Sequence, residues 1–105
     1  MKQVMTDYIN SMTEGNLDSL EQIISLQYRK FIRFYRLVEG YSELIKNLKY
    51  EFNSPTSLDV LLVLESKAKP ENIKKEIEAS MSESKYDGEV KLVKKNVFIS
   101  IILDE

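Results

Sequence analysis

The sequence contains no cysteine and no histidine. Without cysteine there is no disulfide, no thiolate metal site and no thiol nucleophile. Without histidine the commonest general base and the commonest metal ligand are missing. Any catalysis would fall to Asp, Glu, Lys, Tyr, Ser or Thr. Glycine is scarce too: Gly15, Gly40 and Gly88 make up the whole set and lie far apart. That spacing excludes a phosphate-cradling loop of the GxxxxGK[ST] or GxGxxG type. No zinc pattern, HExxH helix or calcium-loop spacing occurs, so neither a metal nor a cofactor is expected. Long apolar runs are missing as well. The longest, Val60–Leu64 and Val97–Leu103 with Ser100 inside it, fall short of the roughly 18 residues of a membrane span. Residues 1–12 carry Asp7 and no continuous apolar stretch, and do not read as a signal peptide. The expectation is a cytoplasmic protein without a membrane partner, which the lack of cysteine fits.

What remains is ordinary for one globular domain. The chain has 105 residues, 43% hydrophobic and 30% charged, enough for one modest core. The net charge of -2 and the pI of about 5.3 exert no global pull on nucleic acid or anionic lipid. Binding of either kind would need a local patch.

Along the chain, Val4, Tyr8 and Met12 recur at helical spacing, which predicts a short helix over residues 3–12. Gly15 and Asn16 interrupt it. Asn16 is placed to cap a following helix, with Asp18 favourable in its first turn. From Leu17 the apolar residues repeat every seven positions. One set is Leu17, Ile24, Phe31, Val38, Ile45 and Phe52; the other is Leu20, Gln27, Phe34, Tyr41 and Leu48. Gln27 is the one interruption. About five heptads in register predict a single long helix of roughly 50 Å, with Gly40 a place for a kink and Pro55 its end. Ile23, Tyr28, Tyr35, Leu37 and Leu44 widen the stripe beyond a two-stranded seam.

The remainder reads as β-α-β-β. Leu58–Leu64 is a buried strand. Pro70 opens a helix with Ile73, Ile77 and Met81 on one face. Asp87-Gly88 marks a turn, and Glu89–Lys94 has the lysines of an edge strand. A tight turn is expected at Lys95-Asn96. Val97–Leu103, apolar on both faces, belongs at the centre. The expected fold is α+β in one domain, 1–105: a short N-terminal helix and one long amphipathic helix (1–53), then β-α-β-β forming a small three-stranded sheet (57–104). One helix covers one sheet face; the long helix, from this chain or a second copy, must cover the other. This predicts a homodimer through Leu20, Ile24, Gln27, Phe31, Phe34, Val38, Tyr41, Ile45 and Leu48, with Gln27 setting register.

Four constellations could carry chemistry. All three arginines, Arg29, Arg33 and Arg36, fall with Lys30 within eight residues and on one helical face. Arginine binds carboxylates and phosphates bidentately, so the face is either a macromolecular contact or a plain solvated side. Tyr28 and Tyr35 beside it, with Tyr41 in the same aromatic group, complete a hot-spot mixture or offer stacking platforms for bases; Phe31 and Phe34 read as core. Asp59 and Asp104 would meet at one sheet end if their strands run antiparallel, and could hold Mg²⁺, although no third ligand or base accompanies them. Lys91, Lys94 and Lys95 read as guards of an edge strand.

The expected function is thus a small non-enzymatic protein-protein interaction module, an adaptor, inhibitor or regulator acting as a homo-oligomer. The alternative is a nucleic-acid-binding dimer using Arg29, Arg33 and Arg36. No small-molecule substrate is expected. A phage or mobile-element origin fits a short chain rich in lysine and isoleucine.

Overall fold

The computed structural model describes residues 2–84 and 86–103, with side chains from residue 7 onward. Val4, from the expected first stripe, lies outside the described side chains. The described elements run α1 (Lys2–Ser11), β1 (Thr13–Gly15), α2 (Leu17–Gln27), α3 (Ile32–Glu39), β2 (Ile45–Ser54), β3 (Ser57–Leu64), α4 (Pro70–Glu83), β4 (Asp87–Val93) and β5 (Asn96–Ile102). Single 3-10 turns at Arg29–Phe31 and Ser42–Leu44 lead into α3 and β2.

The class is α+β, but the expected long helix and three-stranded sheet are both wrong. The longest described helix is the 14-residue α4. The sheet has five strands, all antiparallel, in the order β1-β2-β3-β5-β4. The molecule measures 33 Å in its longest direction, too short for a helix of about 50 Å.

The heptad stretch divides for local reasons. Asn16 caps α2 as expected. Its side chain accepts from the Ser19 amide at 2.9 Å, and the Ser19 hydroxyl accepts from the Asn16 amide at 2.9 Å. The helix stops at Tyr28, whose backbone leaves the helical region at φ -129° and ψ 51°. Its ring stacks on Phe52, with centroids 3.8 Å apart and planes 8° from parallel. The chain turns once and resumes as α3, which ends at Gly40. Beyond Ile45 the period is two, not seven: Leu48 and Tyr50 are buried on one face, while Lys49 and Glu51 point to the other. Pro55 and Thr56 form the turn of a hairpin, with Ser54 opposite Ser57, not the boundary between a helical half and a sheet half.

The β-α-β-β order does occur as β3-α4-β4-β5, with β5 between β3 and β4. Pro70 stands in the first turn of α4, and Ile73, Ile77 and Met81 are buried. The last turn is Lys94-Lys95, one residue earlier than expected, with Val93 opposite Asn96 and Lys94 at φ 58°.

The sheet has two unequal cores. On one face α2, α3 and α4 pack Leu20, Ile24, Phe31, Phe34, Val38 and Ile77 against Leu58, Val60, Leu62, Ile99 and Ile101. On the other, α1 brings Ile9 and Met12 against Leu61 and Phe98. The second face is therefore covered by the short first helix.

Candidate interaction surface

The 3-10 turn and α3 place the basic residues. Phe31, Phe34 and Val38 are fully buried, which turns the opposite side of the same turns to solvent. Arg29, Lys30, Arg33 and Arg36 are exposed there. Their neighbours differ from expectation. Tyr35 is only 3% exposed, so it belongs to the core and not to a contact surface. Burial raises its phenol pKa, and the charges of Glu21, Glu39 and Asp18 raise it further. Tyr28 is half-buried against Phe52. Neither ring stands free as a platform. Tyr86 approaches the same region from beyond α4: burial raises its pKa, while the Phe34 backbone and the Arg33 guanidinium oppose the shift. Acidic residues thus act on the buried Tyr35, and the half-buried Tyr86 lies within reach of Arg33.

The residues assigned to a dimer seam are placed in this chain's own core. Leu20, Ile24, Phe31, Phe34, Val38 and Leu48 are buried there, Tyr41 and Ile45 are half-buried, and Gln27 is exposed. A dimer through a continuous long helix has no helix to use. The burial of Tyr41 raises its pKa, as does Glu76, which accepts a hydrogen bond from it.

Asp104 lies outside the described residues. Asp59 stands opposite Ser100 of β5 and Glu51 of β2, on the face covered by α1. It is 8% exposed, and among the described residues it is the one buried polar or charged side chain. The Tyr8 hydroxyl donates to its Oδ2 at 2.5 Å, and Asn53 Nδ2 donates to the same oxygen at 2.9 Å. Burial, then this bond, push the Tyr8 phenol up to about 12. A phenol so held keeps its proton throughout the physiological range and cannot act there as a base. The group is a tie between α1 and the sheet. Sequence reading singled out Asp59 as one of two strand-end carboxylates, with Asp104; Tyr8, which donates to it, was missed because it sits 51 positions away.

The lysines of the hairpin are exposed. Lys91 pairs with Glu89 at 3.2 Å on the same face of β4. Lys94 and Lys95 border an open hollow of ≈ 420 Å³ with Lys69, Pro70, Glu71 and Leu92. Among the described residues no three acidic side chains gather to hold a metal ion, and no helix is long and apolar enough to cross a membrane. No protein-family description, curated protein or solved structure matches this chain.

Proposed function

We propose that the protein is a non-enzymatic interaction module whose Arg29/Arg33/Arg36 face docks an acidic surface of another protein. One observation carries this reading. All three arginines of the chain stand exposed on one side of a short helical segment whose other side is locked into the core. Rigid placement lowers the entropy lost when guanidinium groups close on carboxylates. The net charge of -2 favours a protein over a polyanion. So does the lack of a free ring beside the arginines, since base stacking needs one. A cytoplasmic setting and action as a regulator, adaptor or inhibitor belong to the same reading.

The test is an affinity capture from source-cell lysate, with and without nuclease, comparing wild type with an Arg29/Arg33/Arg36→Glu variant. The variant changes exposed side chains, so its melting should shift by less than about 0.5 kcal/mol. A protein retained after nuclease treatment and lost from the variant supports the proposal. Equal retention by both chains overturns it. Recovery of nucleic acid alone, abolished by nuclease and falling steeply with salt, replaces it with the nucleic-acid reading.

A further inference from the structure

β4 ends the sheet, with β5 on one flank and no described strand on the other. The two-residue turn at Lys94-Lys95 sets Val93 opposite Asn96. Residues flanking such a turn exchange both backbone hydrogen bonds, and the pattern then alternates. Asp87, Glu89, Lys91 and Val93 therefore direct their backbone groups to β5. Gly88, Val90 and Leu92 direct theirs outward, as an open edge.

Side chains mark that edge for a particular occupant. Among the described residues Leu92 is one of three large apolar side chains left exposed, at 39%. Gly88, on the same sheet face, has no side chain. It lines a groove of ≈ 340 Å³ together with Met81, Tyr86 and Val90 and with the acidic Glu78 and Asp87. On the opposite face Glu89 and Lys91 stand two residues apart. This arrangement is self-complementary. If two copies of β4 pair antiparallel about a two-fold axis at Val90, Val90 meets its counterpart and Leu92 lies opposite Gly88. Glu89 then lies opposite Lys91, twice. The outward backbone groups of Gly88, Val90 and Leu92 all find partners. Moving the axis to Glu89 sets two glutamates face to face, and moving it to Lys91 does the same with lysines. The Glu89 register also sets Asp87 opposite Lys91 twice, but of these three registers only the one centred on Val90 brings no like charges directly opposite, which is destabilising.

We propose that β4 joins the β4 of a second copy of this chain in that register, with Leu92 of each copy seated in the groove over Gly88 of the other. Lysine on an edge strand ordinarily repels foreign strands. Here Lys91 repels them while its own copy supplies Glu89, so the guard admits the chain itself. The inference is independent of the arginine face.

Sedimentation at about 100 μM, a range that reaches small, weak interfaces, tests it on the full chain. Wild type is expected at twice the 12.3 kDa chain mass. Glu89→Lys and Lys91→Glu each replace two attractive cross-strand pairs with two repulsive ones. Each should weaken the dimer about tenfold or more and run at the chain mass. An equimolar mixture of the two variants should recover the double mass, because each chain then faces opposite charge. Unchanged circular dichroism shows that the variants fold. Wild type at the chain mass, single variants that stay dimeric, or a mixture that stays monomeric overturns the proposal.

Discussion

Tyr8, Asn53 and Asp59 form the most consequential polar contact in the described structure. A carboxylate that is 8% exposed is costly unless its lone pairs are met, and two donors converge on one oxygen. The phenol carries the pH dependence. Its pKa rises from 10.0 unfolded to about 12 folded, so the folded state holds the proton more tightly. The contribution to stability is whole below pH 10 and is lost as pH climbs through 12. Tyr35, Tyr41 and Tyr86 are raised in the same direction, and add to the decline. Tyr8→Phe should cost about 1–2 kcal/mol near neutral pH. Melting curves from pH 9 upward should then fall less steeply for the variant than for wild type. Parallel curves would remove Tyr8 as the source. Single residues were legible in sequence where the chemistry is local. The Asn16 cap and the outward arginines follow from neighbours within a few positions. Tyr8 and Asp59 meet only because β3 sits in one register and α1 lies across it, and no short-range pattern encodes that.

At the scale of elements, the heptad repeat is the instructive failure. Leu48 and Phe52 fit a helical seam and a strand alike, because a spacing of four suits a period of two as well; Ile45, three positions before Leu48, lies beyond a register shift between Ile45 and Asn47. Tyr50 discriminates. It belongs to neither heptad set, yet it is buried beside Leu48 on one face of β2. Gln27, followed by the break at Tyr28, marked the other end of the true helix. By contrast, the order β3-α4-β4-β5 was legible, and Pro70 opens α4 as expected, but the other punctuation was misplaced: Pro55 turns a hairpin and does not end a helix, Asp87 and Gly88 lie inside β4 and not in a turn, and the last turn falls on Lys94-Lys95. Gly88 is the tightest of these. It sits at φ 136°, and a Cβ there would lie 1.9 Å from the Ser100 carbonyl oxygen. Gly88→Ala should therefore lower stability by about 2–3 kcal/mol or more, measured as a drop in the urea midpoint. A midpoint within error of wild type would mean that β4 can shift away from β5 at that point.

Across the whole molecule the two sheet faces are unequally secured. Three helices and the centre of the sheet share the larger core. Among the described residues the smaller holds Ile9, Met12, Leu61 and Phe98, with Tyr8, Val63 and Val93 packed against them, supported by the Tyr8 bond and by Lys49 donating to the Ile9 carbonyl at 3.4 Å. Segments with little buried apolar contact open at lower free energy. Backbone amides of α1 should exchange with solvent at least tenfold faster than those of β3 and β5 under native conditions. Equal protection would show that α1 unfolds only with the whole chain. Sequence reading saw that both faces needed cover but gave the second to a long helix, since nothing local tells which segment lies over a sheet face.

The placement of β5 has a consequence during synthesis. The β2-β3 hairpin is made first, and β3 then waits for the strand that lies beside it, which is the last of the five to be made. At the usual pace of translation the wait is on the order of seconds. For that interval Leu58–Leu64, apolar except for Asp59, presents an unpaired edge on the nascent chain. A hairpin in that state is a substrate for whatever chaperone meets emerging polypeptide, and a hazard if nothing does. The edge that the finished sheet hides at its centre is the one the growing chain exposes longest.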